Sequence, residues 1–167
     1  MKGSPMANVY MMCGKICSGK STRAQLLREQ FHAVVLSVDE ITLALFGQNA
    51  GDQHDTYVER AEAYLYRKSL EILETGINVV LDWGFWTKAE RDEARQFYRA
   101  HGIPYVFHYI QIDDAEWRRR IEKRNARIAA GTLDAYYVDD GLAAKFAAIF
   151  EPPAPDETDI RITRQGE

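Results

Sequence analysis

The segment Gly14-Lys-Ile-Cys-Ser-Gly-Lys-Ser21 constrains this chain more than any other. It fits G-x-x-x-x-G-K-[ST] at every fixed position. It follows Asn8-Val-Tyr-Met-Met-Cys13, an apolar run with no helical period that reads as a buried strand. It precedes residues 21–31, where Ala24, Leu26, Leu27 and Phe31 recur among charges as on a helix. Strand, glycine loop and helix in that order form a phosphate loop. Gly14 and Gly19 let the backbone turn so that consecutive N–H groups point inward, and the helix beginning near Lys20 adds its positive end. In this pattern the loop residues Gly14, Lys15, Ile16, Cys17, Ser18 and Gly19 cradle phosphates. Lys20 places an ammonium on the β/γ-phosphates, Ser21 offers a hydroxyl to Mg²⁺, and Thr22 reaches the α-phosphate. The plainer alternative is a Gly-rich turn with an ordinary lysine. Average residue usage makes a chance match on the order of one in a hundred for a chain this long.

The rest of the chain alternates in the same way. Residues 33–38 and 78–81 are short apolar runs ending at Asp39 and Asp82, and residues 104–112 form a longer aromatic run ending at Asp113. Between them lie helical stretches. Thr56-Tyr-Val-Glu59 has the form of a capping box for a helix running to Thr75 and stopping at Gly76. Thr87-Lys-Ala-Glu90 is a second such box, for a helix stopping at Gly102. A helix from Asp113 to Gly131 and another over 138–150 follow, and the Pro-rich stretch 151–155 reads as a linker. Residues 159–163 read as a fifth, edge strand. This alternation predicts an α/β fold with a parallel sheet covered on both faces, and ligands then bind beyond the carboxyl ends of the strands.

The whole chain has 167 residues, the size of one domain, with 46% hydrophobic and 28% charged residues, which excludes a disordered tail. No apolar run is long enough to cross a bilayer, and residues 1–7 hold no apolar stretch of leader type, so a cytoplasmic protein is expected. Lys+Arg number 21 and Asp+Glu 25, for a net charge of −4. That sign argues against nucleic acid as the main partner. The two cysteines, Cys13 and Cys17, are too few for a disulfide framework or a four-ligand zinc site. Cys13 flanks the phosphate loop and Cys17 sits within it; they read as small buried residues, or Cys17 reads as a thiolate near a helix start.

Candidate chemistry sits at the strand ends. Asp82, after Val79-Val-Leu81, can hold Mg²⁺ through water or cap a turn. Asp39 can orient an acceptor hydroxyl and take its proton, or cap a helix starting at Glu40. Arg120, Arg124 and Arg127 lie at i, i+4 and i+7, beside the apolar face of Trp117, Ile121 and Ile128. They suit a stripe of forks for phosphoryl oxygens, or solvated partners of Glu116 and Glu122. The aromatics of Asp82-Trp-Gly-Phe-Trp86 pack a core or line an acceptor pocket.

These residues together resemble the small P-loop kinases grouped with the zeta-toxin-like and AAA_33 ATP-binding proteins, whose relatives include chloramphenicol phosphotransferase, gluconate and shikimate kinases and the polynucleotide 5′-kinase domain. The resemblance spans roughly residues 9–163. It implies a P-loop three-layer α/β/α sandwich with a five-stranded parallel sheet in the order 2-3-1-4-5 and a helical lid over about 114–135, all in one domain over 1–167. Val35-Leu-Ser-Val-Asp-Glu-Ile41 is similar to the family segment whose aspartate is the usual base, which falls on Asp39. Val79-Val-Leu-Asp82, the aromatics and Arg91 resemble its third-strand segment. Arg120-Ile-Glu-Lys-Arg124 resembles R-[IL]-x-x-R of nucleoside monophosphate kinase lids, which implies adenine stacking for Arg120 and phosphate contact for Arg124. Phe150-Glu-Pro-Pro153 resembles a late loop near the adenine, and residues 46–55 are expected to help hold the acceptor.

The expectation is therefore an ATP- and Mg²⁺-dependent phosphotransferase acting on a hydroxyl of a small molecule. Lys20, Asp39, Arg120 and Arg124 would be catalytic, residues 14–22 and Arg120 would hold nucleotide, and Ser21 and Asp82 would hold the metal. A polynucleotide 5′-hydroxyl kinase and a non-catalytic ATP-binding module are the rivals. The sequence assigns no acceptor and no oligomeric state.

Overall fold

The computed structural model describes residues 6–164. Residues 1–5, on which most of the leader argument rests, lie outside them. Five strands form one wholly parallel sheet: β1 (Val9–Cys13), β2 (Val34–Leu36), β3 (Val79–Leu81), β4 (Tyr105–Ile112) and β5 (Ile160–Arg164), in the lateral order 2-3-1-4-5. The helices are α1 (Lys20–Phe31), α2 (Val38–Phe46), α3 (His54–Glu74), α4 (Lys88–Ala100), α5 (Asp114–Ala129) and α6 (Asp140–Ile149).

The period of β1 divides the core. Val9, Met11 and Cys13 face one side and join Val79, Leu81, Phe107 and Tyr109 against Leu73 of α3 and Ala94 and Tyr98 of α4. Tyr10 and Met12 face the other side and join Val80 against Ala24 and Leu27 of α1. All five residues of β1 are buried, as expected for a central strand of a parallel sheet covered on both faces. A third cluster ties the phosphate loop to α5 through Ile16, Ile112, Trp117 and Ile121. β5 is the edge strand that the sequence predicts.

Helix ends follow local chemistry. Thr87 and Glu90 close both bonds of the expected capping box at α4. The box expected at Thr56–Glu59 does not form. A short 3₁₀ turn over Gly51–Gln53 runs directly into α3, which starts at His54 with no side-chain cap, so Thr56 already lies inside the first turn. At α2, Ser37 is the cap and its Oγ accepts from the Glu40 N–H at 3.3 Å. The helix therefore starts at Val38, before Glu40, and Asp39 is not its cap. Ser37-Val-Asp-Glu40 carries the S-x-x-E signature that announces this start. Asp113 does cap α5, accepting from the Glu116 N–H at 2.8 Å. Of the three strand-end aspartates, only Asp113 is used as a cap.

Candidate active site

A cleft of about 1280 Å³ opens where β1, β2 and β3 end, and Lys20, Ser21, Thr22, Asp39, Asp82, Arg120 and Arg124 all line it. Gly14 takes φ 153°, and a Cβ there would stand 2.7 Å from Ile110 O and 2.8 Å from Ser18 Oγ, so no side chain fits. Gly19 takes φ 104° and starts α1 with no side-chain cap and no acidic residue in the first turn. The first N–H groups of α1 are thus left for an outside acceptor. Lys20 Nζ donates to Lys15 O at 2.6 Å, which holds the ammonium across the loop. Cys17 adopts φ 61° and lines the cleft. Ile16 contributes to the cleft wall while its side chain joins the core beside Trp117. The side chains of Lys15 and Ser18 turn elsewhere. Lys15 pairs with Asp114 at 3.1 Å and lies over the Trp117 ring at 4.6 Å, and Ser18 is buried.

Asp82 and Ser21 lie close enough for the Ser21 hydroxyl to act on the Asp82 carboxyl. Burial pushes the Asp82 carboxyl up, opposed first by the Ser21 hydroxyl and then by the Lys20 charge. Burial pushes the Lys20 ammonium down, opposed by Asp82 and then Asp39. Asp39 is exposed toward the cleft and close enough for its charge to act on both. The donors offered here are oxygens, which suits a hard cation such as Mg²⁺. Among the described residues no three His, Cys, Asp or Glu gather to hold a metal alone, so phosphate and water oxygens would have to complete its shell. Cys13 lies behind the loop, its thiol pushed up to about 11 by burial, and its Sγ donates to Phe85 O. It is a packing residue.

α5 is fastened to the loop. Trp117 Nε1 donates to Ile16 O at 2.7 Å within the protein interior. Arg120 Nη1 donates to Ser18 O at 3.1 Å, and Arg124 Nη1 approaches Cys17 Sγ at 3.5 Å. Glu116 is 2% exposed and pairs with Arg119 at 2.7 Å and Arg120 at 2.5 Å. Their hydrogen bonds hold its carboxyl at about 2. The sequence offers Glu116 only as a solvated partner, whereas in the fold it is a buried anchor that aims Arg120 at the loop.

The other wall comes from α2, α3, the start of α4 and the segment after β3. Trp83, Trp86, Glu62 and Glu90 line it, while Phe85 at 2% exposure belongs to the core. The aromatic run is therefore divided between the cleft wall and the core. Arg91 is 1% exposed and its guanidinium donates to Phe85 O at 3.1 Å, Trp86 O at 3.3 Å and Glu151 O at 3.0 Å, and pairs with Glu157 at 3.2 Å. Phe150 and Pro153 are buried and Glu151 accepts from the Lys88 N–H, so this late loop braces α4 and does not line the cleft. Phe146 and Ile149 of α6 line it instead. After α5 the chain crosses the cleft. Gln48 bonds to Ala135 O at 2.7 Å and accepts from Tyr137 N at 3.2 Å, and the Tyr136 hydroxyl donates to Thr42 Oγ1 at 2.8 Å. The sequence does not signal this strap, because its partners are 87 to 94 residues apart.

A parallel sheet in this order, with a glycine loop running into α1, defines a P-loop NTPase fold of the kinase-like kind. The AAA_33 family model, described as an AAA domain, matches residues 9–153, and the chain belongs to that family. Solved structures share the fold. A candidate kinase from Chloroflexus aurantiacus is 17% identical at TM-score 0.73, covering 98% of this chain and 87% of that one. A subunit of the Pnkp1/Rnl/Hen1 RNA repair complex is 19% identical at TM-score 0.70, covering 86% of this chain and 43% of that one. The Mycobacterium tuberculosis APS kinase CysC, in complex with AMPPNP and APS, is 19% identical at TM-score 0.68, covering 95% and 89%. No curated protein sequence matches the chain. No helix among the described residues is long and apolar enough to cross a membrane.

Proposed function

We propose that this chain is an ATP- and Mg²⁺-dependent phosphotransferase that moves the γ-phosphoryl group to a hydroxyl of a small molecule. The observation that carries the reading is the convergence of Lys20, Ser21, Asp39, Asp82, Arg120 and Arg124 on one cleft at the open start of α1. The uncapped N–H groups and Lys20 receive the phosphates of the nucleotide. Ser21 and Asp82 would hold Mg²⁺, which supplies positive charge to the β- and γ-phosphate oxygens. Asp39 orients the acceptor hydroxyl and takes its proton. Arg120 and Arg124, fixed beside the loop, stabilise charge on the transferring group. Residues 114–135 act as the lid of a single kinase domain over 1–167.

The second reading is a polynucleotide 5′-hydroxyl kinase, and one structural neighbour belongs to an RNA repair complex. Against it, the wall beyond the phosphate loop is acidic, with Asp39, Glu40, Asp55, Glu62 and Glu90 in the cleft. A strand of phosphates there meets like charge.

The test is ATP titration of the native protein, Lys20→Ala and Ser21→Ala, with and without Mg²⁺, beside ADP release across sugars, nucleosides and amino sugars. Native protein binds ATP and releases ADP faster with at least one acceptor. Lys20→Ala loses both. Ser21→Ala loses the Mg²⁺ dependence. Equal ATP binding by Lys20→Ala would overturn the reading.

A further inference from the structure

The two walls of the cleft carry opposite charge. Arg120, Arg124 and Arg127 of α5 face it from one side. From the other, Glu62 of α3 and Glu90 of α4 face it beside the indoles of Trp83 and Trp86. Glu62 is half-buried on this wall, and the charges that act on it are all carboxylates: Glu90, Glu93 and Glu59. Among the described residues no lysine or arginine forms an ion pair with it. Burial and those neighbours push it up to about 7. Glu62 lies one helical turn before Tyr66, whose ring meets Trp83 edge-on at 5.5 Å, so the carboxylate and the indole belong to one stretch of wall. Trp86 is held on the Phe146 ring at 4.7 Å. Glu90 gives one oxygen to the Thr87 N–H. A half-buried carboxylate with no countercharge from the protein is stabilised by a cation brought in from outside, and indole faces attract organic cations.

We propose that the acceptor is an organic cation: a hydroxyl-bearing amine, such as an amino alcohol or amino sugar, whose ammonium is held by Glu62 and Glu90 against the Trp83 indole. This rests on the kinase reading above. In the transfer, the acceptor oxygen bonds to the γ-phosphorus and the bond from that phosphorus to the β,γ-bridging oxygen breaks. ADP leaves with the electron pair, the hydroxyl proton goes to Asp39, and the ammonium is unchanged. The basic wall takes the anionic donor and the acidic wall takes the cationic acceptor.

The test uses matched pairs: glucosamine against N-acetylglucosamine, choline against its neutral carbon isostere, and kanamycin against its per-N-acetyl form. Binding is read by tryptophan fluorescence and transfer by label from γ-³²P-ATP, in the native protein and Glu62→Gln, with thermal melting as the check on folding. In at least one pair the cation binds about tenfold tighter than its neutral partner, and Glu62→Gln abolishes that preference while ATP binding persists. Equal or better binding of the neutral member in every pair overturns the inference, as does a preference that survives Glu62→Gln. Transfer to neutral members without charge preference sinks the cation site and leaves the kinase reading standing. Glu62-dependent cation binding without transfer to any acceptor upholds the cation site and counts against the kinase reading.

Discussion

Glu62 shows how much a single residue's surroundings decide. Its carboxyl titrates at about 7 in the fold against 4.5 ordinarily. Between those pH values the folded chain keeps a proton that the unfolded chain has released. Stability therefore falls as pH rises from 4.5 to 7, and the penalty is complete above. Glu62→Gln removes it. Melting curves should show the variant more stable than the native protein by about 1–2 kcal/mol at pH 8, with the two converging near pH 4.5. A constant difference across that range would contradict the assignment. Other residues were easier to read. Lys20 and Ser21 follow from an eight-residue pattern with one physical purpose, and the structure sets both in the cleft. Asp39, Asp82 and Asp113 look alike in sequence, since each follows an apolar run. Only three-dimensional partners separate them: a peptide N–H for Asp113, a serine hydroxyl for Asp82, and the open cleft for Asp39. Glu62 gave no signal at all, because its neighbours on α4 are remote in sequence.

At the scale of elements, α5 and the phosphate loop behave as one piece. The Trp117 indole bond to Ile16 O is interior and has no alternative partner in water. Trp117→Phe keeps the ring packing and leaves that carbonyl unsatisfied, which should cost about 1–3 kcal/mol of stability. Because Ile16 sits within the loop, ATP affinity should fall several-fold as well; a melting loss with unchanged affinity would show that the helix does not position the loop. Helices and strands were legible because periodicity and capping are local. The capping box at Thr87 formed as written. The one at Thr56 did not, because an upstream 3₁₀ turn had already begun the helix, and no pattern within the box itself records that.

Across the whole molecule, the net charge of −4 conceals a division that the fold sets face to face. The arginines of α5 and the carboxylates of α2, α3 and α4 meet across one cleft. Strand order is likewise a property of the assembly: β1 lies between β3 and β4, and nothing local in β1 specifies its neighbours. The same holds for Arg91, which joins α4, the segment after β3 and residues 151–157. Arg91→Met strips four bonds from a buried hub and breaks the ion pair with Glu157. A loss of about 3–5 kcal/mol in urea unfolding is expected, and a loss below 1 kcal/mol would show that the hub is dispensable.

Transfer of phosphoryl to a small-molecule hydroxyl can be followed with the label of γ-³²P-ATP in the presence of Mg²⁺ and a small-molecule extract, with the native protein and Asp39→Asn side by side. With the native protein, label should enter an acid-stable phosphate ester of a small molecule. Asp39→Asn should lose that product by about 10²-fold or more, with ATP binding retained. Label found only in ATP or inorganic phosphate, or an Asp39→Asn variant with native turnover, would contradict this reading.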